Sequence, residues 1–455
     1  MRVSALGKAR VIILALLAIS ILGFLPRASA LSNGGAASVV LGEPNLTTFN
    51  PGARATGLVA PYALAFDSSG NLWVADQGGD RVLEYKAPLS SGEAASIVLG
   101  QPNMTALGEA TTATGLNAPS GLAFDPSGNL WVADAGNNRV LEYTTPFSDG
   151  ESASIVIGQT NFTSSIGATT GSGLSQPDGI AFDSHGNLWI GDALNSRVLE
   201  FPAPLSTGEA ATLVIGEPDF VTANDEVSSS GLSTPSGLAF DSNGNLWVAD
   251  GIRVLEYTTP FTTQENASLV IGQNNFLNSS TGTTSSLLDL PYNIAFDPSH
   301  NLWVSDYGNN RVLEYTAPFS NGEAASLVVG QPNFTSSATA PVLSPTSTGL
   351  NHPQGIAFDS NGNLWVADYA DGRVLGYGSL LSVGTTSTTS AQSTSTSSTS
   401  VTGVTTTTGA TTTSASSTTA VPEFPSQLLV ASVVTALIAA SYLLVRRRAN
   451  HLGKG

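Results

Sequence analysis

Six residues that directly follow a proline, Tyr62, Ser120, Asp178, Ser236, Tyr292 and Gln354, recur at near-even intervals along the 455-residue chain, and their chemistry changes from copy to copy. Asp289 and His352 lie just before two of the same prolines. Carboxylates and amide oxygens gathered in this way suit a hard cation such as Ca2+. Asp178, Asp289 and His352 also supply the groups of an acid/base site. A transition-metal centre is a poorer match. The chain has no cysteine and four histidines; His185 and His300 fall in short turns, and His451 is near the C-terminus, which leaves His352 as the single imidazole among the candidates. Three nitrogen ligands for zinc are therefore not at hand.

The frame that must hold these residues is a repeat. "GNLWVADAGNNRVLEY", Gly128 to Tyr143, is said six times with small changes, and the chain's six tryptophans, Trp73, Trp131, Trp189, Trp247, Trp303 and Trp365, mark the copies at intervals of 58, 58, 58, 56 and 62 residues. Each copy contains four short apolar segments bounded by turn residues, which predicts strands and not helices. In the second copy they are 121–125, 129–134, 139–143 and 153–157. Four strands at this period predict an all-β fold, a six-bladed β-propeller with four-stranded blades. An outer-type strand, Ser38 to Leu41, precedes the first copy, and the last copy ends at Tyr377 without one. The N-terminal strand is thus expected to complete the last blade, leaving the ring without an unpaired edge.

"GNLWVADAGNNRVLEY", preceded by "PSGLAFD", resembles the NHL repeat, and the likeness covers most of Ser38 to Tyr377. That resemblance implies a propeller. It implies no single activity, because such propellers serve as protein-binding, RNA-binding and occasionally catalytic modules.

Within the frame, what recurs sixfold reads as scaffold. The Asp that ends each second strand (Asp76, Asp134, Asp192, Asp250, Asp306, Asp368) and the Arg that opens each third strand are expected to tie turns and blades together, since catalysis needs one asymmetric arrangement. Strand alternation puts the long outer-to-inner connections, such as 101–118, on one face with the second-to-third turns. The six post-proline residues should then ring the mouth of the central channel on that face. The turns add Asn137, Asn138, Asn195, Asn309, Asn310 and Asp371, and the short "DGIR" of the fourth copy is expected to open a notch beside Asp250.

The ends read differently from the middle. Residues 1–30 read as a signal peptide, with basic residues before an apolar run and Ala28-Ser29-Ala30 at its end. Residues 31–384 form the propeller region. From Thr385 to Ala420 the chain is almost wholly Ser and Thr, the composition of a disordered stalk that extends to 427. Residues 428–445 are uncharged and, at about 1.5 Å each, reach roughly 27 Å, the span of one transmembrane helix. Arg446-Arg447-Arg448 begins a basic tail, 446–455, that the positive-inside rule keeps in the cytoplasm. Pro422-Glu423-Phe424-Pro425 before the span resembles the PEF-type sorting tails of archaeal surface proteins, which implies either enzymatic removal of the tail or a retained anchor.

Between residues 31 and 384 there are eight basic residues against thirty-three acidic ones, so nucleic acid is an unfavourable partner. The absence of cysteine leaves stability to a large core. Sequons at Asn45, Asn103, Asn161 and Asn333 occupy equivalent positions, with Asn266 and Asn278 as extras; each Asn serves either as a glycan acceptor or as the head of an Asx-turn. Together these readings predict a monomeric propeller on a stalk at the cell surface, displaying a face to proteins or glycans of the envelope. The alternative is an extracellular hydrolase or lyase of lactonase type with a Ca2+-type ion in the channel, an activity for which the resemblance gives precedent.

Overall fold

A computed structural model describes residues 31–339 and 344–378. The signal, stalk, PEF-type, transmembrane and tail segments read at 1–30, 385–427, 428–445 and 446–455 lie outside the described residues. Among the described residues no helix is long and apolar enough to cross a membrane.

The described chain is a ring of six four-stranded antiparallel sheets. The inner strands are Pro61–Phe66, Pro119–Phe124, Pro177–Phe182, Pro235–Phe240, Pro291–Phe296 and Pro353–Phe358. In blade two the second, third and outer strands are Leu130–Asp134, Arg139–Tyr143 and Ile155–Ile157. The outer strand is two residues shorter than the apolar run suggests. Ala153 N is drawn away to Ala113 O of the preceding loop, so pairing begins only at Ile155. Ring closure is made by Val39–Leu41, which pairs antiparallel with Arg373–Tyr377 as Val39 opposite Gly376, Val40 opposite Leu375 and Leu41 opposite Val374.

Each second strand is buried along its whole length, as an alternation-free run such as LWVAD requires. Its tryptophan meets the inner-strand phenylalanine of the next blade edge to face: Trp73 and Phe124 at 6.1 Å, Trp131 and Phe182 at 5.8 Å, and finally Trp365 and Phe66 at 6.1 Å across the closure. Blade-to-blade cohesion is therefore written once and used six times.

The repeated Asp–Arg pair ties turns together, as its recurrence suggests. Arg139 Nε donates to Asp134 Oδ2 at 2.7 Å, while its remaining nitrogens donate to Phe162 O in the loop after the blade and to Thr112 O and Gly115 O in the loop before it. Asp134 Oδ1 also accepts from Asn117 N. One buried ion pair thus fixes both long loops of its blade. In blade four the turn closes without a 3-10 segment, and Arg253 still reaches Asp250 at 3.0 Å.

A second sixfold position breaks the symmetry of the scaffold. Gln101, Gln159, Gln273 and Gln331 each donate Nε2 to two loop carbonyls, but Glu43 and Glu217 stand at the same place in the other two blades. Glu43 is fully buried; its Oε1 accepts from Asn50 N and its Oε2 has no partner. Burial raises its pKa, against the lowering effect of Asn50 N, Arg54 and Arg373. A carboxyl whose folded pKa is raised contributes stability below its unfolded pKa and loses it as pH rises through the folded value. Glu43→Gln is accordingly expected to stabilise the protein by about 1–2 kcal/mol at pH 8, with the gain vanishing toward pH 4. Urea titrations at the two pH values read this directly, and a gain independent of pH would contradict it.

Candidate functional site

The post-proline residues owe their orientation to a bulge. Every inner strand pairs normally at its proline, slips, and resumes pairing two or three residues later, as between Pro177 and Ile180. A bulge re-aims the residue it contains. Tyr62, Ser120, Asp178, Ser236, Tyr292 and Gln354 all line one central cavity of about 120 Å³. Below them lies a ring of Ala63, Gly121, Gly179, Gly237, Asn293 and Gly355, and below that an aliphatic floor of Leu64, Leu122, Ile180, Leu238, Ile294 and Ile356. The glycines are there because inner strands converge on the axis: a Cβ on Gly179 would stand 1.9 Å from Ser236 O.

The six mouth residues do not all face solvent. Ser120 and Ser236 are buried, and their hydroxyls donate to Pro177 O at 3.0 Å and Pro291 O at 3.3 Å of the neighbouring blade. They act as clips between inner strands. Tyr62 reaches past blade two, and its hydroxyl donates to Asp178 Oδ2 at 2.9 Å. Burial pushes the Asp178 carboxyl up to about 7, with the Tyr62 hydrogen bond pulling the other way. Tyr62 itself is raised well above the usual phenol range, first by burial and then by the Asp178 charge.

Around this pair the structure assembles an aromatic group. Tyr62 packs edge-on against Tyr292 at 5.9 Å and Tyr369 at 6.2 Å; Tyr292 leans on Tyr307 at 4.9 Å, and Tyr307 on the His352 ring at 4.6 Å. His352 is thus joined to the mouth through Tyr307 and does not line the cavity. Its backbone has φ of 55° and its N donates to Asn310 Oδ1, while burial lowers its pKa and favours the neutral ring. Asp289 is also set apart: its backbone N donates to Asp306 Oδ1 and its carboxyl lies over Gly308 of the blade-five turn. Asp178, Asp289 and His352 therefore do not converge as an acid/base triad.

Tyr307 and Tyr369 were not among the residues singled out from the sequence. The signal was present: the residue after the second-strand Asp is Gln77, Ala135, Ala193 and Gly251 in blades one to four, and Tyr in blades five and six. Asp371, in the same turn as Tyr369, is fully buried, 3.3 Å from Arg373 and accepting from Asn351 Nδ2 at 3.0 Å.

For Ca2+, the lining residues contribute a single carboxylate, Asp178, against the six to eight oxygens such an ion takes. Among the described residues no group of three or more His, Cys, Asp or Glu is arranged to hold a metal ion. These residues are a poor fit to a calcium shell.

On the rim, the sequon asparagines head Asx-turns. Oδ1 of Asn45, Asn103, Asn161 and Asn333 accepts from the backbone N and hydroxyl of Thr47, Thr105, Thr163 and Thr335. The residue between them is pinned by the blade arginine, as Arg81 pins Met104 O. Asp219 and Asn275 head the same turn in the other two connections, where exposed Val221 and Leu277 replace the threonine. Asn266 is exposed and accepts from Ser229, and Asn278 is half-buried in the blade-four connection.

Two segments of the chain, 116–143 and 350–377, match the NHL repeat. The mouse (Mus musculus) peptidyl-glycine alpha-amidating monooxygenase is 24% identical over 210 residues, 44% of this chain, and the chain spans 20% of that protein's length. Solved structures of similar shape include a catalytically inactive virginiamycin B lyase from Staphylococcus aureus with quinupristin, at 15% identity and TM-score 0.40 over 72% of this chain and 82% of the other. A gluconolactonase from Xanthomonas campestris has 16% identity and TM-score 0.43 over 75% and 98%. The described chain is a six-bladed β-propeller, two segments of which match the NHL repeat.

Proposed function

We propose that the protein is a binding and display module of the cell surface, carried on the 385–427 stalk and held by the 428–445 span, whose long-loop face engages a protein or glycan of the envelope. One observation carries this reading. The aromatic group of Tyr62, Tyr292, Tyr307, Tyr369 and His352 gathers on that face beside Asp178, while the opposite face repeats one Asp–Asn hairpin. Aromatic rings give large contact area at low entropic cost, and unlike groups around one depression give specificity. In this reading glycans on Asn45, Asn103, Asn161 and Asn333 cover four consecutive connections, Asn278 is the sequon of the Leu277 connection, and the Val221 connection is left without one.

The test is binding of purified envelope material by the wild type, by Tyr307→Ala with Tyr369→Ala, and by His185→Ala with His300→Ala. The tyrosine variant is expected to lose tenfold or more in affinity and the hairpin variant nothing. Equal binding by all three proteins overturns the reading. A second reading, a hydrolase or lyase of lactonase type, draws on the Asp178 carboxyl near 7 beside the Tyr62 hydroxyl, a poise suited to proton transfer.

A further inference from the structure

The channel mouth offers acceptors and carries no cation of its own. Gln354 is 3% exposed, lines the cavity, and its Oε1 has no hydrogen-bond partner. Asp178, three blades away and so across the ring, accepts one hydrogen bond, from Tyr62. None of the lining residues is Lys, Arg or His. Ser120 and Ser236, the hydroxyls between them, already donate to neighbouring strands. What the cavity lacks is a hydrogen-bond donor with positive charge, and the Tyr62 and Tyr292 rings among its lining are groups that attract one.

Size narrows the choice. A cavity of about 120 Å³ exceeds several-fold the ~10–15 Å³ that one water needs on the same measure, room for a small group. A ligand that enters from the long-loop face leaves its remainder near Tyr307 and Tyr369, which pack on Tyr292 and Tyr62. A quaternary ammonium has no donor for Gln354. A neutral alcohol brings no charge for Asp178.

We propose that the channel mouth binds a primary alkylammonium group, whose N–H donors reach Asp178 and Gln354 Oε1 while its alkyl stem lies against Tyr62 and Tyr292. The group is either a free amine or the end of a partner's lysine side chain. The proposal rests on the long-loop face being the binding face and specifies what that face receives.

Calorimetric titration of the full-length protein at pH 8 tests it with n-butylammonium, n-butanol, tetramethylammonium and CaCl2. Butylammonium is expected to bind at least tenfold more tightly than butanol or tetramethylammonium, and Asp178→Asn and Gln354→Leu are each expected to weaken it tenfold or more. Unchanged thermal transitions in the two variants guard against misfolding, and Ser236→Ala, which leaves both acceptors in place, should still bind. Lowering the pH from 8 to 5 is expected to cost tenfold or more, because Asp178, pushed up to about 7 by burial, takes up a proton while the phenols facing it stay neutral. A capped Gly-Lys-Gly peptide that outcompetes butylammonium, and fails to when its lysine is acetylated, assigns the group to a protein partner; the reverse order assigns it to free amines. Equal affinity for butanol, tighter binding of Ca2+, or full retention in Asp178→Asn overturns the proposal. A protein that binds butylammonium but captures no envelope material keeps the ammonium site and loses the display reading, and capture without ammonium binding does the opposite.

Discussion

Removal of residues 31–42 is expected to abolish the cooperative unfolding transition of the propeller or to lower its midpoint by more than about 15 °C. Val40 and Leu41 are wholly buried, and Ala37 and Val39 nearly so. They pack with Trp303, Leu364, Val366 and Leu375 on one side and with Leu58, Leu72 and Trp365 on the other, where blade six meets its neighbours. Each buried Val or Leu contributes roughly 1.5–3 kcal/mol, and the ladder to Arg373–Tyr377 is lost with them. The sum approaches the whole net stability of a typical protein, about 5–15 kcal/mol. The strand also ends the sheet of blade six, so its loss uncovers a third strand whose free edge invites pairing with other chains. Scanning calorimetry checks the midpoint, and a synthetic peptide of residues 31–42 should restore it in trans. An unchanged transition would mean that blade six is stable with three strands.

Arg139→Met is expected to cost about 3–5 kcal/mol, which in a propeller of this size lowers the midpoint by roughly 4–7 °C. Both members of the Asp134–Arg139 pair have 0% exposed side chains. Without the guanidinium, Asp134 keeps Asn117 N and the Asn137 amide, yet its charge has no counter-charge, and the carbonyls of Thr112, Gly115 and Phe162 lose their shared donor. Loosening of both flanking loops should follow, visible as faster hydrogen exchange at 110–118 and 159–166. Replacing both partners, Asp134→Leu with Arg139→Met, should recover part of the loss, because the buried charge goes with the cation. A single-variant cost below 1 kcal/mol would show that the pair is dispensable and that the loops hold themselves.

The frame was legible because its cause is local. Trp at a fixed interval, alternation-free second strands and Gly-bearing hairpins follow from strand periodicity and turn chemistry, both of which act over a few residues, and six repetitions leave few alternatives. Even ring closure could be read, since an extra outer strand at one end and a missing one at the other leave a single economical pairing. His300 at φ 66°, in the place where the other hairpins have Gly, marks the limit of that reading, because turn preferences tolerate exceptions that neighbours enforce.

The site was legible only as a list. Sequence period put six unlike residues after six prolines, and the cavity gathers all six. Their separate roles were decided by contacts across blades. Ser120 and Ser236 became clips because converging inner strands bring the next blade's carbonyl within 3.0–3.3 Å. Asp178 met Tyr62 from 116 residues away, and its carboxyl was pushed up to about 7 by enclosure that no local pattern encodes. Asp289 and His352 were held out of the channel by their own turns, while Tyr307 and Tyr369 were brought to its mouth. The sequence by itself determined which positions repeat and which vary, since that is a property of the chain. Which varied residues touch was decided by the tertiary structure, because side chains from different blades share one small space only after the ring has closed.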